Sequence, residues 1–459
     1  MATIAIEIND AGLTIAGGEG ILAVEPGYAL VDKSGTVTGG AAYAQARLRP
    51  GHVSNRFWAD LSLESATAGI AGARNSAELA FAQLRAIWES YKNVANDAVL
   101  VVPGHYDKLQ LGILLGIAEE CGMPVRGMID VAAAASERPY PGRQLVYVDA
   151  SLHRVAVTPL RQDREVTALE ERSLGALGLA ALDDLFAKRI AEIFVLATRF
   201  DPFHHAESEQ ALYDRLPQWL EQLNTETRAE LTLPFGDEEL RVEVERGHLL
   251  AAAGGVYKAL LQLIAQTREP GSALAVQLSD RLARRPGLVD ALARLDDAIV
   301  VAHEPGRAAR GALAALDAIV SGEQVKLLRH LAWRGEPVEA PAAAEPPRTG
   351  LGLADDPAGP PTHVVYRGVA YPINGEGLLI GRARIDDRRM IVIDDVSSGI
   401  SRSHCELAVS HGELVVRDLS THGTFVNERR VSGQEVLHPA DVIRIGSPGA
   451  ELELIRVER

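Results

Sequence analysis

The chain has 459 residues, 47% hydrophobic and 24% charged, which excludes disorder throughout and is enough for roughly two to four folding units. Sixty-two acids against 46 bases give a net charge of −16, a field that repels phosphate backbones and anionic lipids, so neither nucleic acid nor a membrane is an expected partner. Cys121 and Cys405 alone form no disulfide framework and no zinc-finger spacing, and the start MATIAIEIND has no basic segment, so the expected setting is a reducing cytoplasm without a signal peptide.

In chain order, Ala2 to Ile8 alternates and is β-branched, which predicts a strand, and Ile21 to Val31 predicts one or two more. Ser76 to Tyr91 carries Leu79, Phe81, Leu84 and Trp88 at helical spacing. Ala98 to Val102 is a short apolar run ended by Pro103, a buried strand. A helix follows over Leu109 to Cys121, stopped by Gly122 and Pro124, and then a buried strand over Gln144 to Asp149. Helices are predicted at Leu177–Ala197, Glu207–Leu223, Glu245–Gln266 and Pro286–Leu295, a hairpin at Leu231–Val244 turning at Gly236-Asp237, and a strand at Ala298–Ala302. The most apolar stretch, Leu249 to Ala265, includes Lys258 and Gly254-Gly255 and reads as a buried helix. Alternation of strands and helices over residues 1–334 places this region in the α/β class.

Residues 335–362 hold seven prolines in 28 positions with no hydrophobic periodicity, which predicts a linker. From 363 to 459 the hydrophobic period becomes two. Short strands are expected at His363–Ile373, Leu378–Arg382, Ile391–Ile393, Cys405–Ser410, Glu413–Asp418 and Val442–Ile445; about ten in all imply a β-sandwich. This part has 12 Arg, no Lys and 14 acids, so nearly all the negative charge belongs to the first part.

Four blocks stand out in the C-terminal part: Gly381-Arg382, Ser401-Arg402-Ser403-His404, the run Asp418 to Asn427 (DLSTHGTFVN), and Asp441 to Gly446 (DVIRIG). They fall just beyond strand ends, where a sandwich clusters its loops. Phosphothreonine brings about −1.5 to −2 charge and three acceptor oxygens. A reader of it needs a fork of donors and short hydroxyls, which Arg382, Arg402, Ser401 and Thr421 can supply. With order and spacing intact over nearly all of 363–459, this region resembles a forkhead-associated (FHA) domain. The resemblance implies phosphate contacts from Arg382, Ser401, Arg402 and Thr421, a buried brace at His404, and structural roles for Gly381, Gly423 and Asn427. The chain departs from the family at His422, where the family usually has an asparagine that holds the peptide backbone, so peptide preference is expected to differ. Asp386-Asp387 and Asp394-Asp395 match no calcium loop.

Residues 1–334 resemble the nucleotide-binding domain of DnaK-type heat-shock chaperones, a member of the actin-like ATPase fold. The likeness runs through Ala98–Tyr106, Gly122–Ala135, Leu174-Gly175 with the helix after it, and Ala309–Ala314. It implies a two-lobed clasp for ATP and Mg²⁺, with two glycine-rich loops cradling phosphate and carboxylates holding the hydrated metal. Here the first loop reads Glu7-Ile-Asn-Asp-Ala-Gly-Leu13, with Glu7 in place of the usual aspartate and no Gly-Thr-Thr run. The second reads Asp149-Ala-Ser-Leu-His-Arg154, without its glycines. The adenosine-contacting segment, Val276 to Arg281, lacks its glycine pair, and Asp130 replaces a glutamate. Glu7 and Asp149 are the candidates for residual Mg²⁺ binding. The expectation is a degenerate scaffold without catalytic residues, and the alternative is an ATP-driven chaperone-like or filament-forming machine recruited by the FHA domain. No P-loop, HExxH or GxSxG motif is present.

The partners implied are a threonine-phosphorylated protein and its Ser/Thr kinase. Self-association is a further reading, with Thr349 or Thr362 as phosphothreonines for the chain's own FHA domain. Forty Arg against 6 Lys fits a GC-rich bacterial coding style.

Overall fold

The computed structural model describes residues 2–65, 69–175, 177–236, 238–320, 325–338, 360–366, 369–373, 377–383, 389–393, 400–410, 413–421, 423–427, 429–431, 433–438, 441–446 and 450–455. The chain divides into two compact units, Met1–Glu345 and Pro346–Arg459.

The first unit is built on two sheets. One contains β1 (Ala2–Glu7), β2 (Leu13–Gly17), β3 (Gly20–Glu25), β4 (Ala95–Val102) and β5 (Val125–Asp130) in the order β3-β2-β1-β4-β5. The other contains β6 (Arg143–Ala150), β7 (Arg154–Gln162), β8 (Glu165–Ala168), β9 (Ala273–Leu278) and β10 (Ala298–Ala302) in the order β8-β7-β6-β9-β10. In each, the first three strands form an antiparallel meander and the last two lie parallel to the first. One topology is thus used twice, and Glu7 and Asp149 end up at matching places, the C-terminal ends of β1 and β6.

Side-chain alternation assigns each strand's two faces to two different cores. Ile4 and Ile6 of β1 and Leu100 of β4 pack outward against helices α1 (Ser76–Tyr91) and α2 (Lys108–Glu120). Val146 and Val148 of β6 and Val276 of β9 pack outward among α3 (Leu179–Thr198), α4 (Ala206–Thr225) and α5 (Arg246–Thr267). The intervening residues, including Ala5, Val99, Leu145, Tyr147 and Ala275, share a third core with the small residues of two short helices, Val131–Ala135 and Arg307–Ala314. Burial on both faces explains why β4 and β6 read as apolar runs and not as alternating ones. By length and composition α5 would suffice to cross a membrane. Its Leu249, Ala253, Leu260 and Ile264 lie in the core outside the second sheet.

Helix bounds fall within a few residues of expectation, and α1 matches it at both ends. Its cap is legible in physical terms: Asn75 accepts a hydrogen bond from the Glu78 N–H. The hairpin also forms, pairing Arg228–Phe235 with Glu238–Glu245 around Gly236, while Asp237 lies outside the described residues. The predicted Pro286–Leu295 helix is shorter, Leu288–Ala293. Residues 335–338, assigned to the linker by composition, are held to the first unit: the N–H of Gly335 donates to Glu137 O and that of Val338 to Pro139 O. Residues 339–359, with Thr349, lie outside the described residues.

The second unit is a sandwich of two sheets. One runs in the order β12 (Val369–Pro372), β11 (His363–Tyr366), β21 (Ala450–Ile455), β20 (Val442–Ile445), β17 (Thr424–Val426), β18 (Arg429–Arg430). The other runs β14 (Met390–Val392), β13 (Leu378–Gly381), β15 (Cys405–Ser410), β16 (Glu413–Asp418), β19 (Gln434–Leu437). The predicted 363–373 strand is therefore a hairpin of two. Val364, Ile443, Ile445 and Leu452 of one sheet and Ile380, Leu407, Leu414 and Val416 of the other meet in a single core. Cys405 is fully buried there, and burial pushes its thiol up to about 12.

Candidate functional site

Three loops meet at one end of the sandwich because β13 and β16 both pair antiparallel with β15. Ile380 and Asp418 both face Cys405, so the exits of β13 and β16 flank the entry to β15. Arg382 follows β13, Ser401 to His404 precede β15, and Thr421 and Gly423 lie between β16 and β17.

His404 joins these loops from inside. It is fully buried, and its Nδ1 lies 3.1 Å from the Ser401 N–H donor while its Nε2 lies 3.0 Å from the Gly423 carbonyl. The first bond requires an acceptor at Nδ1 and the second a donor at Nε2, which fixes the neutral Nε2–H tautomer. Its backbone continues the link, since His404 N–H donates to Ile380 O and Leu419 N–H donates to His404 O. The Thr421 N–H donates to Ser401 Oγ at 3.2 Å, leaving that hydroxyl's own hydrogen available to a ligand. Arg382 N–H donates to Ser401 O at 3.1 Å.

Two glycines permit the approach. A Cβ on Gly381 would lie 2.1 Å from the Arg402 carbonyl oxygen, so the Arg402 loop rests directly on this backbone. Gly423 has φ +97°, where a side chain is strained, and a Cβ there would meet Arg430 Nε at 2.7 Å. Arg382, Arg402 and Thr421 are exposed and Ser401 is half-buried, so the three loops that meet here carry two exposed arginines and two hydroxyl residues. His422 lies outside the described residues, as do Asp386, Asp387, Asp394 and Asp395.

Asn427, expected to tie the following strand to the loop, joins the end of β17 to the start of β20. Its Nδ2 donates to Asp441 Oδ1 at 2.6 Å and its Oδ1 accepts from Val442 N–H at 3.0 Å. Sequence reasoning missed the role of Asp418, whose Oδ1 accepts from Ser420 N–H, Ser420 Oγ–H and Thr424 Oγ1–H. Burial raises its pKa, but these hydrogen bonds outweigh that and the net shift is downward. The Asp-x-Ser pattern was the available signal. Arg430 was also missed; only the fold brings it beside Gly423.

Residues 378–446 match the family model of the FHA domain. The matched segment spans the three loops, and an FHA domain implies phosphothreonine-dependent protein–protein interaction. A search of curated proteins finds no match to the chain.

In the first unit, Glu7 and Asp149 do come together, but around a side chain that was not predicted there. Arg281, just past β9, donates from Nη2 to Glu7 Oε1 at 2.6 Å and from Nη1 to Asp149 Oδ2 at 3.1 Å. All three side chains are buried, at 11% exposure or less. Asn9 Nδ2 lies 3.4 Å from Asp149 Oδ2 and donates to Ala150 O. Burial pushes both carboxyls upward while Arg281 opposes it, and the two acids hold the guanidinium charge well above its usual range. Such a site does not fit Mg²⁺–nucleotide, because a guanidinium already lies between the carboxylates. Among the described residues, no three His, Cys, Asp or Glu side chains are grouped to hold a metal ion. Nearby, Asp130 caps the Val131–Ala135 helix through Oδ1, and burial raises its carboxyl to about 6.

Proposed function

We propose that this protein is a phosphothreonine-dependent signalling adaptor in the cytoplasm. Its FHA domain docks on a partner phosphorylated by a Ser/Thr kinase, and the first unit is an actin-like, DnaK-type scaffold that does not hydrolyse ATP. The observation that carries the docking role is the grouping of exposed Arg382, Arg402 and Thr421 around Ser401, on loops locked by His404, inside the segment that matches the FHA model. Arg382 would grip the phosphate as a fork, Arg402 would add charge, and the Ser401 and Thr421 hydroxyls would take the remaining oxygens. The scaffold reading is supported by the repeated strand order, with acids at matching strand ends. Thr362 is a poor ligand for its own domain, because its carbonyl accepts the Ile373 N–H and its hydroxyl lies 2.9 Å from His363 Nδ1.

Calorimetry of the full chain against a degenerate phosphothreonine peptide library and its unphosphorylated counterpart tests this. Binding confined to the phosphorylated library is expected. Equal binding, or none, would end the reading.

A further inference from the structure

We infer that the first unit is self-liganded: the Arg281 guanidinium stands where a divalent cation would sit between Glu7 and Asp149, the Asp10 carboxylate takes a backbone N–H that a phosphate oxygen would take, and the domain therefore closes without nucleotide. The inference rests on the actin-like reading above and goes beyond it, because it names what replaced the ligand.

The geometry is specific. Glu7 and Asp149 come from matching ends of two equivalent strands, so the repeat brings two like charges together. Two buried carboxylates need a positive charge between them. Arg281 supplies it with one nitrogen on each acid. Its planar fork spans both, where a lysine would present a single point charge.

The loop amides tell the same story. Phosphate cradles work through backbone N–H groups left for the ligand. Here the Ala11 N–H donates to Asn9 Oδ1, the Gly12 N–H to Asn9 O, the Ala150 N–H to Asp149 Oδ1 and the Ser151 N–H to Arg154 O. The Leu152 N–H, on the second loop, donates to Asp10 Oδ1 on the first at 2.6 Å. That bond joins the two loops as a shared phosphate would. A triphosphate arriving here would find these donors engaged and three carboxylates, Glu7, Asp10 and Asp149, facing its own negative charge.

All four tryptophans, Trp58, Trp88, Trp219 and Trp333, belong to the first unit, so tryptophan fluorescence of the full chain follows its unfolding alone. For the wild-type chain, millimolar Mg²⁺–ATP is expected to give no binding heat and no change in melting temperature. Arg281→Ala should melt on the order of 10 °C lower, and Mn²⁺ alone should recover several degrees of that loss while leaving the wild type unmoved. A triple variant, Glu7→Gln with Asp149→Asn and Arg281→Met, removes both the charge and its countercharges and should melt close to the wild type. Saturable Mg²⁺–ATP binding by the wild type would overturn the inference while leaving the actin-like reading intact. A folded Arg281→Ala chain indifferent to Mn²⁺ would overturn the cation replacement. If Arg281→Ala does not fold, the triple variant decides: near-native melting supports charge replacement, and a triple variant as unstable as the single one refutes it.

Discussion

Both units gather arginine, short polar side chains and backbone amides where strands end, yet they do opposite things with them. In the first unit the guanidinium of Arg281 is buried between two acids and the nearby loop amides have internal acceptors. In the second, Arg382 and Arg402 are exposed beside Ser401, whose oxygen takes one internal bond and keeps a hydrogen to give. The contrast shows that residue type does not separate a binding site from a structural staple. What separates them is whether the charge and the donors are already satisfied.

Breaking the staple should have the largest effect. Arg281→Ala strands two buried carboxylates, and urea unfolding followed by tryptophan fluorescence should show a loss of about 3–5 kcal/mol, with phosphopeptide affinity untouched. The converse change, Arg382→Ala, should weaken phosphothreonine peptide binding roughly 100-fold by calorimetry and leave the tryptophan-detected transition where it was. A stability change from the second variant, or an affinity change from the first, would erase the distinction between the units.

Asp130 sharpens the comparison through pH. Its folded-state pKa of about 6 is above the unfolded value of 3.8. The folded chain therefore binds the proton more tightly, and this group favours folding below pH 4, loses that effect as pH rises toward 6, and contributes no further slope above it. Asp130→Asn keeps a capping oxygen without the buried charge. It should stabilise the first unit at pH 7.5 by about 1–3 kcal/mol and flatten the decline between pH 4 and 6 in urea titrations. The smallest effect is expected at Arg430, whose guanidinium lies against Gly423 in the loop between β16 and β17. Arg430→Ala should weaken phosphopeptide binding about 3-fold, and the loss should shrink at high salt.

The sequence made the second unit's site legible because its residues are clustered in short blocks at strand ends, and turn chemistry is local. Ser401, His404 and Thr421 are joined by hydrogen bonds, and Arg382 and Arg402 lie on the same loops. Arg430 was hidden, since strand pairing of Phe425 with Arg430 carries β18 back past the loop. In the first unit the helices were readable from period and caps, but β2, β5, β7, β8 and β9 were not singled out. Leu13–Gly17 and Ala273–Leu278 are short apolar runs buried on both faces, without the alternation that marks a half-exposed strand. The Arg281 staple was illegible for a different reason: it joins positions separated by 274 residues along the chain, and only the folded sheets bring them within reach.

The buried imidazole of His404 has a consequence for the kind of binding this surface offers. Because it spans from Ser401 to Gly423 before any peptide arrives, two of the three loops are already held in mutual register. A ligand would spend little of its interaction energy on immobilising backbone, and the entropy that flexible loops surrender on association is here lost during folding. Discrimination then falls to the fit of donors already in place: a carboxylate brings two oxygens and one charge where phosphothreonine brings three oxygens and nearly two, so glutamate substitutions in a partner would be poor mimics of phosphothreonine.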